Sequence, residues 1–296
     1  MVQLNKFGLI GVGGYVAPRH LRAIRDTGNE LRICFDPNDS VGIIDQYFPG
    51  AEYFSNLERF EREIAKTSSI EKEKLDYISI CSPNYLHDTH IRLALSNNIN
   101  VICEKPLVLF PSNLDLLAEM EAKHNNSIKT VMQLRYHPQL VNLKEQLSNS
   151  TSPHKVKLTY ITPRGKWYHY SWKGEESKSG GLATNIGIHL FDLLIWLFGG
   201  VLDSKVELKL KERMKGRLIL ERAEVDWFLS VDIGDLQKDS NQKSLRVLEI
   251  SGERIEFSEG FTDLHTKVYE EILKGNGLGI EDARPSIELV YKIRNS

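Results

Sequence analysis

Up to about residue 130, short apolar runs alternate with amphipathic stretches. The runs KFGLIGV, LRICFD, LDYISICS, NVICEK and IKTVMQL are nearly all apolar, the pattern of strands covered by helices on both faces. Between them APRHLRAIRDTG, NLERFEREIAKT, YLHDTHIRLALSNN and SNLDLLAEMEAKH carry the helical period, with Gly28-Asn29 and Asn97-Asn98 as stops. This alternation predicts an α/β chain that opens with a doubly wound parallel sheet of the Rossmann type. After about residue 150 the period changes. HKVKLTYITPRG and KVELKLKERMKGRLILERAEVDWFLSVDIG alternate polar and apolar positions, as antiparallel strands with one wet face do. SLRVLEISGERIEFSE predicts a hairpin turning near Ser251-Gly252. One long apolar helix, LATNIGIHLFDLLIWLFGG, sits among these strands, and helices near 262–274 and 281–294 close the chain. The expected domains are therefore 1–133, a dinucleotide-type Rossmann domain, and 134–296, an α+β domain with an open, largely antiparallel sheet. The last helix is a candidate to pack back on the first domain.

The bulk numbers narrow the function classes. A net charge of −2 gives no electrostatic footprint for nucleic acid or acidic membranes, so neither partner is expected. MVQLNKFGLIGVGG enters a strand at once, without the pattern of a signal peptide, and no apolar run is expected to span a membrane. The three cysteines lack metal-ligand spacing and sit in apolar runs, which predicts reduced thiols in a cytoplasmic protein, with a Cys81–Cys103 disulfide disfavoured. TSSIEKEKLD has the composition of a solvated loop.

Candidate chemistry begins at the first strand-to-helix turn. Gly11, Gly13 and Gly14 permit a tight turn and close approach of N–H groups to a pyrophosphate at a helix N-terminus. Val16 stands where the pattern wants a small residue, and Ala17 or Gly14 is expected to serve the packing role. Asp36, ending the next strand, suits a ribose hydroxyl and repels a 2′-phosphate, which favours NAD over NADP. Tyr15 and Val16 in the turn, and Ser40 beyond Asp36, join the cofactor-binding candidates. Ligands of such sheets lie beyond the carboxyl ends of the strands, where ICSPNYLHDTH and ICEKP are polar. The first adds Cys81, Ser82, Pro83, Asn84 and His87 to the cofactor candidates. Asn84 either caps its helix or faces the cofactor. His87 is a candidate contact to the cofactor ribose, and His90 is expected on the surface. These two histidines lack further ligands, so no metal is expected.

At the second tip, Lys105 is either half of a solvated ion pair or an ammonium placed to stabilise a developing alkoxide beside a nicotinamide; its position favours the second. Glu104 is expected to position Lys105 or the nicotinamide ribose. Pro106 ends the ladder and is compatible with either peptide isomer. On the apolar helix, Ile186, Leu190, Leu193 and Leu197 make one stripe, and Asn185, His189, Asp192 and Trp196 the next. The polar stripe is either a structural hydrogen-bond network or a site with His189 as acid–base group, Asn185 on the substrate and Asp192 orienting the imidazole. Upstream, YITPRGKWYHYSWKGEESKSGG offers Arg164 and Lys173 for phosphate or carboxylate, and aromatics, Tyr168 among them, for stacking.

The ordered set GVGG, SPNxxH, EKP and GGxxxxxGxHxxD, read from Gly11 to Asp192, resembles the Gfo/Idh/MocA oxidoreductases over essentially the whole chain. IGVGGYVAPRHLRAIRDTGN, SVGIIDQYFP, CEKPLVL and SGGLATNIGIHLFDLL are similar to the UDP-N-acetylglucosaminuronate 3-dehydrogenases, the WlbA/WbpB type, of bacterial surface-polysaccharide pathways. The resemblance implies NAD-dependent oxidation of the sugar C3 hydroxyl of a UDP-sugar to a 3-keto group, ahead of transamination toward 2,3-diamino sugars of lipopolysaccharide O-antigen. It implies Lys105 and His189 as the catalytic lysine and histidine. Asn185 stands where the wider family usually has aspartate; the subfamily that this chain resembles likewise has asparagine there. The resemblance also makes 2-oxoglutarate a candidate oxidant of the reduced cofactor. It implies a homotetramer packed through the open sheet. The rival readings are a dehydrogenase of another sugar or cyclitol, and a non-catalytic NAD-binding sensor.

Overall fold

The computed structural model describes residues 4–68, 70, 72–148, 153–236, 243–258 and 263–296. Residues 1–3 of the opening stretch, 69 and 71 of the TSSIEKEKLD loop, and 262 ahead of the penultimate helix lie outside them. The chain divides into two compact units. The first comprises the residues up to Val108, Ser112–Gln133 and Asp263–Asp282; the second comprises Leu109–Pro111, Leu134–Thr262 and Ala283–Ser296.

In the first unit, strands β1 (Lys6–Ile10), β2 (Glu30–Phe35), β3 (Glu52–Phe54), β4 (Tyr77–Ile80), β5 (Asn100–Cys103) and β6 (Ile128–Thr130) form one sheet in the order β3-β2-β1-β4-β5-β6. Every pairing is parallel. The order reverses between β1 and β4, the switch point at which such sheets bind ligands. Burial explains the near-continuous apolar runs: Phe7, Leu9, Ile10, Ile78, Ile80, Val101, Ile102 and Cys103 are fully enclosed. β3 is absent from the sequence reading because its three residues sit between polar flanks and are half-exposed. Helix Ala17–Asp26 turns Ala17, His20, Leu21, Ala23 and Ile24 inward. Helix Leu264–Leu273 packs against it, burying Leu264, His265, Val268, Tyr269 and Ile272. The Tyr269 ring stacks on Phe7 of β1 at 5.9 Å between centroids. This corrects the expected boundary: the penultimate helix folds with the parallel sheet, and the chain from Ala283 onward folds with the second unit.

In the second unit, β7 (His154–Ile161), β8 (Val201–Lys209), β9 (Arg213–Leu220), β10 (Ala223–Ser230), β11 (Leu245–Ile250) and β12 (Glu253–Glu256) form a sheet in the order β12-β11-β7-β10-β9-β8. Only β7 and β10 pair in parallel. The β11–β12 hairpin turns at Ser251-Gly252, both with positive φ (50° and 94°), the geometry whose twist suits a two-residue connection. The long apolar helix is not uniform. Ala183–Gly187 is a π-helical turn, and Ile188–Phe198 is α-helical. Gly187 lets β10 approach: a Cβ there would lie 2.6 Å from Leu229 Cδ1. Against expectation, Glu176–Phe198 has the length and mean hydropathy (1.5) of a membrane span, but 78% of that window is buried inside the fold, as in a core helix. The three cysteines are buried free thiols, and burial pushes Cys34 up to about 12.

Candidate active site

The glycine turn follows β1 at the sheet's switch point. Gly11 has φ +90°, and a Cβ on it would stand 2.6 Å from Ser82 N and 2.7 Å from Cys81 C. Only glycine lets this turn lie against the tip of β4. Gly13 N donates to Asp36 Oδ2 at 2.9 Å, and Asn38 N donates to Oδ1 at 2.9 Å. Asp36 is thereby fastened, buried, to the turn that opens helix Ala17–Asp26. That helix has Pro at its start, no acidic residue in its first turn and no side-chain cap on Val16. Its N-terminal partial charge stays uncompensated, as an anion-binding turn requires. Ala17 is fully buried, and a Cβ on Gly14 would lie 3.0 Å from Gly11 O. Tyr15 is exposed, with the Arg19 guanidinium 5.3 Å from its ring centroid. Ser40 is exposed, and its carbonyl lies 3.5 Å from a Cβ built on Gly13. Gly11, Gly13, Gly14, Asp36, Ser40, Cys81 and Ser82 thus gather around one turn, whose residues fit a dinucleotide.

Beyond β4 two expectations are corrected. His87 is fully buried, and its ring nitrogens lie 2.7 Å from Pro106 O and 2.9 Å from Ser82 O. It ties the loop after β4 to the loop after β5 and does not face a ribose. Burial depresses its pKa, while the two carbonyls and the Glu104 charge oppose that shift. His90 is buried, not surface, because positions 87, 90, 91 and 94 share the inward face of helix His87–Ser96. Its Nδ1 pairs with Ser82 Oγ at 2.9 Å, and burial pushes its pKa down to about 4. Asn84, also buried, opens a short 3₁₀ turn with Pro83 at the cap position and no side-chain cap bond.

β5 delivers Glu104 and Lys105, and the Lys105–Pro106 peptide is cis. Lys105 is half-buried. Glu104 is buried, and its partners are residues the sequence did not single out. Oε1 accepts from His265 Nε2 at 2.9 Å and His20 Nε2 at 3.2 Å; Oε2 accepts the Lys105 N–H at 3.2 Å. His20 Nδ1 meets Tyr269 Oη at 2.7 Å, and Tyr269 Oη meets Ser79 Oγ at 2.6 Å. Burial opposes ionisation, but the two histidines hold the Glu104 carboxyl well below the usual carboxylate range. Of the two expected tasks of Glu104, its bond to the Lys105 N–H is in keeping with the fixing of Lys105. Neither histidine is readable from a motif: they lie 84 and 161 positions from Glu104.

In the second unit, Asn185 and Tyr168 come together, Asn185 Nδ2 donating to Tyr168 Oη at 2.8 Å. Both are buried, and burial raises the Tyr168 pKa while the Asn185 bond and the Arg164 charge lower it. His189, one turn later, is half-buried. Asp192 is held otherwise than expected. Arg135, from the 3₁₀ turn Gln133–Tyr136, grips it with Nε–Oδ2 at 3.0 Å and Nη2–Oδ1 at 2.6 Å. A bidentate guanidinium fixes both carboxylate oxygens, a partner the sequence did not indicate. Trp196, last of the polar stripe, has the Lys144 ammonium 5.7 Å from its ring centroid, and Lys144 also bonds its carbonyl. Arg164 is half-buried, its guanidinium 3.4 Å from Pro163 O. Lys173 lies over Trp172 at 4.3 Å and Trp167 at 5.8 Å.

Comparison with known proteins bears on both units. The model of the Gfo/Idh/MocA oxidoreductase family's NAD-binding Rossmann fold matches residues 5–131, and that of the family's C-terminal alpha/beta domain matches 144–217. The chain is similar to the WlbA (WbpB) dehydrogenase from Thermus thermophilus in complex with NAD and alpha-ketoglutarate, at 46% identity and a TM-score of 0.96, covering 98% of this chain and 95% of that one. The same enzyme in complex with NAD and UDP-GlcNAcA gives 45% identity and a TM-score of 0.96 over the same shares. Among curated proteins, an uncharacterized oxidoreductase of Streptococcus pneumoniae is 26% identical over 67% of this chain, and the match spans 52% of that relative's length.

Proposed function

The chain belongs to the Gfo/Idh/MocA oxidoreductase family, and from that premise we propose that it is an NAD-dependent dehydrogenase of UDP-N-acetylglucosaminuronate, oxidising the sugar C3 hydroxyl to a ketone. The observation that carries the reading is the likeness, over 98% of the chain, to a dehydrogenase solved with NAD and UDP-GlcNAcA. Bound NAD supplies the hydride acceptor. Gly11, Gly13, Gly14, Tyr15, Val16, Asp36 and Ser40, with Cys81, Ser82, Pro83 and Asn84 from the neighbouring tip, are assigned to holding it. The Asp36 carboxylate, already fixed by Gly13 and Asn38, selects a free ribose hydroxyl over a 2′-phosphate.

The reaction divides one C–H and one O–H bond. The C3 hydrogen leaves with its electron pair, the hydroxyl proton passes to His189, and the oxygen's remaining pair closes the carbonyl. An imidazole titrates near neutrality and suits that proton. The Lys105 ammonium stabilises charge building on the C3 oxygen. Asn185, fixed by Tyr168, orients the sugar, and Arg164 and Lys173 meet the uronate or the diphosphate. In this reading 2-oxoglutarate reoxidises the reduced cofactor, the enzyme works in the cytoplasm as a homotetramer, and its product feeds amination for surface polysaccharide such as O-antigen.

The test is incubation of the purified protein with NAD and UDP-N-acetylglucosaminuronate, followed at the NADH absorbance and by mass spectrometry for a product two hydrogens lighter. Added 2-oxoglutarate should discharge the NADH signal while product continues to form. Oxidation of a free sugar or cyclitol, with the UDP-sugar untouched, would replace this substrate.

A further inference from the structure

Ser79, Tyr269, His20, His265 and Glu104 form a buried polar cluster in the first unit, all below a tenth exposed. Two of its five members ride on helix Leu264–Leu273, which neither family model covers. We propose that this helix belongs to the catalytic apparatus: His265 and Tyr269, acting with His20, hold Glu104 as a fixed anion, and Glu104 positions Lys105 through its backbone N–H. Glu104 is thus a positioning residue, not a catalytic one. The proposal rests on the role given above to Lys105.

The donors and acceptors close consistently. Glu104 Oε1 has two ring nitrogens at 2.9 and 3.2 Å, so His265 and His20 each carry a proton on Nε2. With His20 neutral, its Nδ1 takes the Tyr269 O–H at 2.7 Å, which leaves Tyr269 Oη to accept from the Ser79 O–H at 2.6 Å. Every hydrogen in this chain points toward the carboxylate. A carboxylate at this depth is tolerated only with such donors, and each link polarises the next. Oε2 meanwhile takes the N–H of Lys105 at 3.2 Å, immediately before Pro106. The lysine backbone is therefore held from one side by an anion that three separate segments immobilise. Displacements on the order of 1 Å at a reacting group cost about a hundredfold in rate, so the anchor has a kinetic consequence. His20, Glu104 and His265 also place their ligand atoms within 4.8 Å of one another, as a metal site would. The nitrogen–oxygen separations are those of hydrogen bonds, and Tyr269 and Lys105 complete them without an ion.

Two readouts decide this on the full-length protein with NAD. Nitrogen-15 NMR of labelled histidine should show His20 and His265 protonated on Nε2. Tyr269→Phe should move the His20 signals alone, and Glu104→Gln should move both. Protonation of either ring on Nδ1 alone, or indifference to Glu104→Gln, would overturn the proposal, as would one equivalent of metal retained per chain of tag-free enzyme. In turnover with the UDP-sugar, Glu104→Gln should lower kcat about a hundredfold with both KM values within about threefold of wild type. His265→Gln keeps an N–H donor and should exceed His265→Phe in kcat; equal rates would contradict the anchor. If Glu104→Gln does not fold, the His265 pair and Tyr269→Phe carry the same readouts. A wild-type enzyme inert toward the UDP-sugar would sink the substrate reading, and the NMR result would still decide this one.

Discussion

The tip of β5 and the apolar helix at Ile188–Phe198 each bury a carboxylate near a residue assigned to catalysis, and they treat it differently. Asp192 meets a guanidinium that neutralises it: Arg135 takes both oxygens. Glu104 meets two imidazoles and a peptide N–H. One is an ion pair to a guanidinium; the other is a cluster of hydrogen bonds to a carboxylate. The difference separates their tasks. The Asp192 pair ties Arg135 to the apolar helix, whereas Glu104 reaches the peptide N–H of Lys105.

Substitutions can break that contrast, the largest effects first. Lys105→Ala and His189→Asn should each lower kcat by roughly 10²–10⁴, measured as NADH formation, with NAD affinity retained in equilibrium binding. Arg135→Leu should strand Asp192 as a buried charge and cost about 3–5 kcal/mol in denaturant unfolding. The double variant Arg135→Leu, Asp192→Leu should recover part of it, because no stranded charge is left. Tyr168→Phe leaves Asn185 Nδ2 without this acceptor and should cost about 1–3 kcal/mol of stability, with the loss in turnover appearing mainly in the sugar KM.

The gentlest perturbation is pH. His90 has its folded pKa at about 4 against an ordinary 6.5, so between those values the unfolded chain binds a proton that the folded one refuses. Its share of stability is full above 6.5 and falls as pH drops toward 4, by about 3 kcal/mol at most. Glu104, depressed as a carboxyl, loses its share only at lower pH, as pH falls through its folded value. Thermal unfolding against pH should therefore show two acid steps, and His90→Gln should flatten the upper one.

Much of this was legible in sequence because it is local. Parallel strands announce themselves as apolar runs, the glycine turn and Asp36 belong to one βαβ unit, and Ser251-Gly252 marks its own turn. What escaped is held by contacts far apart in the chain. His20 and His265 reach Glu104 from 84 and 161 positions away, and Arg135 reaches Asp192 from 57. The π-helical turn at Ala183–Gly187 escaped for another reason: its hydrophobic spacing passes for an ordinary helix. His90 looked like a surface residue because histidine is polar, yet its helix face decided its burial.

The central claim is hydride removal from C3 of the UDP-sugar, and labelling tests it directly. UDP-N-acetylglucosaminuronate carrying deuterium at C3 should transfer that deuterium to the reduced cofactor, one atom per 3-keto product, in the wild-type enzyme, and far more slowly in Lys105→Ala. Reduced cofactor without deuterium, or none formed at all, would contradict the account.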